Sequence, residues 1–283
     1  MFTQFLERNN TSLQEINPKL QPTILILDSG VGGLSIYKEI HTLLPNIRYL
    51  YVFDNANFPY GEKNENYILR CIISIIKAIY KKFPLSLAII ACNSASTIAL
   101  STLRKNFEFP IIGVVPAIKP AAFLTRNKII GLLATFGTIN RHYTHQLIKK
   151  FAKTCKVEML GSSKLVNLAE AKVHGKKIII NDIKSIIEPW ITMKKPPDTV
   201  ILGCTHFPLL YDEIKSVLLS GTQLVDSRKA IARRTVWILK YQNIKKFFTA
   251  ENIAFCTQIN NEVMQLIPTL QFYGFSSLEK LFI

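Results

Sequence analysis

The sequence contains no C-x-x-C pair. Its five cysteines stand at 71, 92, 155, 204 and 256. An odd, scattered set suggests neither a disulfide framework nor a structural zinc site, and it fits a reducing cytosol. No apolar run reaches the roughly 20 residues a bilayer span needs: IISIIKAIY (72 to 80) and the segment around TVWILKY (235 to 241) are short or broken by lysine. The start, MFTQFLERNNTSLQEINPKLQP, lacks the continuous apolar core and small-residue cleavage site of a secretion signal. Residues 1–21 therefore read as a polar extension of a soluble, cytoplasmic protein. An RNP-like aromatic motif, a helix-turn-helix signature and a long basic tract are missing too. A net charge of +16 and a pI near 9.6 would suit a polyanion through counterion release. The basic residues, however, are spread along the chain, often on helical segments such as LIKKFAK (147 to 153), as a general surface bias.

What the sequence does have is core material: 283 residues, 48% of them hydrophobic, enough for one large domain or two ordinary ones. Short Ile/Val/Leu runs alternate with stretches of helical period, as in TILILDSG then GLSIYKEIHTLL, and LAIIACNS then STIALSTLRKNF. The alternation predicts an α/β fold of mainly parallel sheets covered on both faces. Further strand candidates are IIGLLAT, IRYLYVFD (47 to 54), PIIGVV (110 to 115), KVEMLGS (156 to 162), DTVILGC (198 to 204), TQLVDS (222 to 227) and NIAFCTQ (252 to 258). These are too many for one small sheet. PIIGVV ends in PAIKPAA at a crossing point, and TQLVDSRKAIARRT brings the chain back. The expectation is a discontinuous first domain, 22–115 with 229–283, and a second domain, 116–228, inserted into it.

Ligands of open α/β sheets bind beyond the carboxyl ends of the strands, and that is where the unusual residues sit. Asp28 and Ser29 follow TILIL, Asp54 and the FPYG turn follow RYLYVF, Cys92, Asn93 and Ser94 follow LAIIA, and Cys204, Thr205 and His206 follow TVILG. DSGVGGLS (28 to 35) does not give G-x-G-x-x-G, and Asp28 would compete with a pyrophosphate for the helix amides. It would instead suit a ligand ammonium, or simply cap the next helix.

A free cysteine is more often core filler than chemistry, and Cys71, Cys155 and Cys256 keep that reading. Cys92 and Cys204 differ, because each lies at a strand-to-helix junction followed by hydroxyl or amide groups suited to a carboxylate. Nearby amides are expected to lower the thiol from its usual pKa of about 8.5, one unit needing about 1.4 kcal/mol. His206 either assists proton transfer at Cys204 or serves as a capping and packing residue. A cysteine hydrolase would use one thiol and leave the other unexplained, while a zinc site from Cys92, Cys204 and His206 lacks paired ligand spacing.

Together, DSGVGGLS, FPYGEK (58 to 63), ACNSAS (91 to 96), GVVPAIKPA (113 to 121), LLATFGT (132 to 138), LGCTHFPLL (202 to 210) and LVDS (224 to 227) resemble the glutamate racemases of the aspartate/glutamate racemase superfamily. YGFSSLEKL (273 to 281) resembles the end of the enterobacterial type. The resemblance implies two similar doubly wound domains related by a pseudo-twofold axis, with the site between them and no cofactor or metal. It implies that Cys92 takes the proton from D-glutamate and Cys204 from L-glutamate. Asp28 and Ser29, Tyr60 and Gly61, Asn93 and Ser94, and Thr205 and His206 match the substrate-binding pairs, with Thr138 as a supporting residue.

Two departures stand out: Ser94 replaces the usual Thr, and Phe136 stands where similar sequences have Arg. GVVPAIKPA and EMLGSSKLVNLAEAKVHGK (158 to 176) resemble the subgroup activated by UDP-N-acetylmuramoyl-L-alanine. The same resemblance extends to DNA gyrase as a partner, in an inhibitory role, and to a monomer or homodimer. Aspartate racemase is the alternative activity within the superfamily.

Overall fold

The structure is a computed structural model, and it describes residues 22–242 and 251–283. The reading of residues 1–21 as a polar extension lies outside the described residues. Among the described residues ten strands form two sheets in which every pairing is parallel. The first holds β1 (Thr23–Asp28), β2 (Arg48–Phe53), β3 (Leu87–Ile90), β4 (Ile111–Gly113), β9 (Asn252–Cys256) and β10 (Phe275–Lys280), in the order β10-β9-β2-β1-β3-β4. The second holds β5 (Ile129–Ala134), β6 (Lys156–Gly161), β7 (Thr199–Leu202) and β8 (Gln223–Val225), in the order β6-β5-β7-β8. The run β2-β1-β3-β4 thus repeats as β6-β5-β7-β8, and in each the strand order reverses beside its first strand.

Helices cover both faces of each sheet: α1 (Leu34–Leu43), α2 (Glu65–Lys82), α3 (Asn93–Asn106), α4 (Ile118–Leu124), α5 (Phe136–Asn140) and α6 (His142–Phe151), followed by α7 (Ser163–Val173), α8 (Ile180–Ile191), α9 (Tyr211–Val217), α10 (Arg228–Tyr241), α11 (Asn261–Gln265) and α12 (Ile267–Phe272). The central strands are apolar at consecutive positions because both faces are buried. In β1, Ile24 and Ile26 join one core while Leu25 and Leu27 join the core on the opposite face. The second sheet divides likewise, with Val200 and Leu202 on one face and Ile201 on the other. The chain crosses twice: Ile118 and Ala121 pack into the second sheet's core, and Ile231, Ala232 and Leu239 of α10 pack back into the first.

The α/β class and the predicted strands appear as read, and β10 is an addition. FSSLEK gives no apolar run or alternation, and only Phe275 in it is fully buried. It is an edge strand held by backbone pairing to β9. Among the described residues no helix is long and apolar enough to cross a membrane.

Candidate active site

Two places where strand order reverses meet face to face. Asp28 ends β1 and Cys92 follows β3 in one sheet; Thr135 follows β5 and Cys204 follows β7 in the other. Such reversal points open a crevice because the neighbouring connections leave toward opposite faces. Contacts span the crevice: Thr205 Oγ1 donates to Asp28 Oδ2 at 3.1 Å, and Ser35 Oγ donates to the Thr205 carbonyl at 2.9 Å. The two thiols lie near enough that a charge on Cys204 is felt at Cys92, and each is only 7% exposed.

Their surroundings differ in sign. Cys92 caps α3 at its N-terminus, where the Ala95 amide and the Ser29 hydroxyl favour its thiolate. Burial and the Asp28 charge oppose them and win, holding the thiol well above its ordinary range. The expectation that local amides would lower it is corrected here. At this depth desolvation outweighs a pair of hydrogen bonds, and the nearest charge is an anion.

Cys204 Sγ instead lies 3.7 Å from Nδ1 of His206, whose Nε2 donates to Glu170 Oε1 at 2.6 Å. Burial disfavours the imidazolium, but the hydrogen bonds with Cys204 and Glu170 outweigh it, so His206 titrates well above its usual value. A Cβ at Gly32 would stand 2.5 Å from that ring nitrogen, so the close approach of the loop to the imidazole requires glycine there. Asp28 is fully buried; burial raises its pKa from 3.8 to about 6, against the pull of His206, the Ser29 amide and Thr205.

Asn93 and Ser94 occupy the first turn of α3, both buried. The Ser94 hydroxyl lies 3.1 Å from that of Thr135 and 3.2 Å from that of Thr138, joining the halves through three buried hydroxyls. Tyr60 is brought to the same region, where its buried hydroxyl donates to Asp54 at 2.5 Å. Gly61 sits against Thr135, and its carbonyl meets Gly137 so closely that no Cβ fits at that position. Phe136, the second departure, is 53% exposed and packs on Gly161 at the rim.

Two residues at the site were not read from sequence. Glu170, in α7, holds His206 and also accepts from the Val31 amide at 2.8 Å, bridging the halves. Thr135, three residues before Thr138, is the second. No spacing marks Glu170, whereas Thr135 closes the run LLAT as Cys92 closes LAIIA, and that parallel could have revealed it. Among the described residues no group of three or more His, Cys, Asp or Glu could hold a metal ion.

A pair of buried thiols facing each other across a crevice, each with its own charged neighbour, can remove a proton from one face of a carbon and supply one to the other. The fold is that of a racemase, and residues 24–235 match the Asp/Glu/hydantoin racemase family, to which the chain belongs. It is 55% identical over 276 residues to glutamate racemase of Erwinia tasmaniensis, spanning 98% of each chain. It is 54% identical to that of Photorhabdus laumondii, spanning 99% of each. Among solved structures it resembles Escherichia coli glutamate racemase in complex with L-glutamate and the activator UDP-MurNAc-Ala, with a TM-score of 0.89 and 56% identity over 92% of this chain and 98% of that one. A glutamate racemase isoform of Bacillus anthracis gives a TM-score of 0.79 at 28% identity, over 90% of this chain and 96% of that one.

Proposed function

We propose that this racemase interconverts L- and D-glutamate in the cytosol, supplying D-glutamate for peptidoglycan. The observation that carries the reading is the opposed charge around two thiols drawn from different halves. The Cys204 thiolate, accompanied by the His206 imidazolium, takes the α-proton of L-glutamate; the Cys92 thiol then protonates the carbanion from the other face, and the reverse reaction exchanges the roles. One proton leaves and one arrives, with no net change in electrons. Asp28 receives the substrate ammonium. Asn93, Ser94, Thr205 and the first amides of α3 receive the carboxylates, with Ser29, Tyr60, Gly61 and Thr138 shaping the pocket. The halves are taken as 22–115 with 229–283, and 116–228, rocking about the two crossings.

Activation by UDP-N-acetylmuramoyl-L-alanine belongs to the same proposal. A groove of about 620 Å³ beside β4, lined by Arg104, Gly113 and Arg234 among others, supports it by offering guanidinium groups for a diphosphate next to a crossing. Purified protein should abolish the optical activity of L-glutamate, faster with this effector. Preferential racemisation of L-aspartate would overturn the substrate assignment, and an unchanged rate with the effector would remove the activation.

A further inference from the structure

With the thiols buried, substrate needs a way in, and the two edges of the crevice are unlike. One edge is sealed by the Gly61–Gly137 backbone contact, the hydroxyls of Ser94, Thr135 and Thr138, and an Arg141–Glu65 ion pair. The other edge opens on a cavity of about 490 Å³ between α7, α11 and the loop after β1. Its inner wall is one side chain thick. Phe58 and Glu170 both line it, the Phe58 ring lies 5.8 Å from the His206 ring, and Glu170 is hydrogen-bonded to that imidazole.

The lining carries both signs of charge. Lys176 and His174 are there, with His174 Nδ1 satisfied by the Glu170 carbonyl at 2.8 Å, so Nε2 is the nitrogen left for a ligand. Glu262 faces them, and Asn55 and Asn167 add amides. Glu170, the remaining charged group, is committed to His206 and the Val31 amide. Lys176 and Glu262 have no ion pair among the described residues.

We propose that this cavity is an outer station for glutamate, where Lys176 with the Asn55 and Asn167 amides holds its carboxylates and Glu262 with His174 Nε2 accepts from its ammonium, before Phe58 and Glu170 part to admit it. The inference rests on glutamate being the substrate. An ionic station speeds capture, and its benefit falls as salt screens it.

The test compares kcat and kcat/KM for L-glutamate in Lys176→Glu and in Lys195→Glu, the same charge change on an exposed lysine just before β7, at the end of that strand away from Cys204. Lys176→Glu should lower kcat/KM about fivefold or more at low salt, converging toward wild type at high salt, with kcat within about twofold. Lys195→Glu should stay within about twofold in both. Equal effects of the two variants, or a fall in kcat alone, would overturn the station while leaving the racemase reading intact. Wild-type protein inert toward glutamate in the same assay would overturn both.

Discussion

The two cysteine junctions are built alike and charged unlike. Each follows a central strand at a reversal of strand order, and each thiol is buried to the same degree. Yet Cys92 looks toward the Asp28 carboxylate, which opposes its ionisation, while Cys204 looks toward the His206 imidazole held by Glu170. Scaffold symmetry brings two sulfurs to one crevice; the neighbours differ, a carboxylate opposing ionisation at Cys92 and an imidazole standing beside Cys204. Enantiomers have equal free energy in water, so kcat/KM must remain equal in the two directions. The asymmetry can therefore appear only in kcat and KM taken separately.

The comparison breaks most severely if a sulfur is removed. Cys92→Ala and Cys204→Ala should each lower racemisation by about 10³-fold or more, measured polarimetrically, because each removes a proton-transfer group that the other cannot replace. Full turnover in either would end the two-thiol account.

Asp28→Asn should cost about 10²-fold in kcat while making the fold more stable. A buried carboxylate whose pKa is raised from 3.8 to about 6 destabilises the folded state once ionised. The shift corresponds to about 3 kcal/mol as an upper figure. The gain over wild type in denaturant unfolding should be absent below pH 4, grow between pH 4 and 6, and level off above. A variant less stable than wild type at neutral pH would contradict this.

Glu170→Gln sharpens the contrast by weakening the Cys204 side. Loss of the carboxylate lowers the His206 pKa, so the limb of the pH–rate profile that reports loss of the imidazolium should move to lower pH. Turnover should fall about tenfold, by different factors for L- and D-glutamate, with KM compensating. Equal kcat losses and an unmoved limb would reduce Glu170 to packing.

Ser94→Ala should have the smallest effect. It removes a hydroxyl from the buried set with Thr135 and Thr138, costing about 1 kcal/mol of stability and a few-fold in KM. Ser94→Thr keeps the hydroxyl and should stay nearer wild type.

Much of this was legible because each feature leaves a local pattern. A buried parallel strand is an apolar run, and a polar or sulfur residue ending it marks a junction, which is how Asp28, Cys92 and Cys204 could be found. Glu170 leaves no such trace: within LAEAK it reads as a carboxylate on a helix face, and only the fold brings it to His206, 36 residues away. β10 was missed because an edge strand needs few buried side chains. The Cys92 expectation failed for a related reason, since the depth of burial and the facing Asp28 come from elsewhere in the chain.

Racemisation in heavy water tests the central claim most directly. Starting from L-glutamate, the first D-glutamate formed should carry deuterium at the α-carbon while the remaining L-glutamate keeps its protium, since the proton leaves to one sulfur and its replacement comes from the other. If the remaining L-glutamate gains deuterium as fast as D-glutamate appears, one group serves both faces and the opposed thiols are not the mechanism.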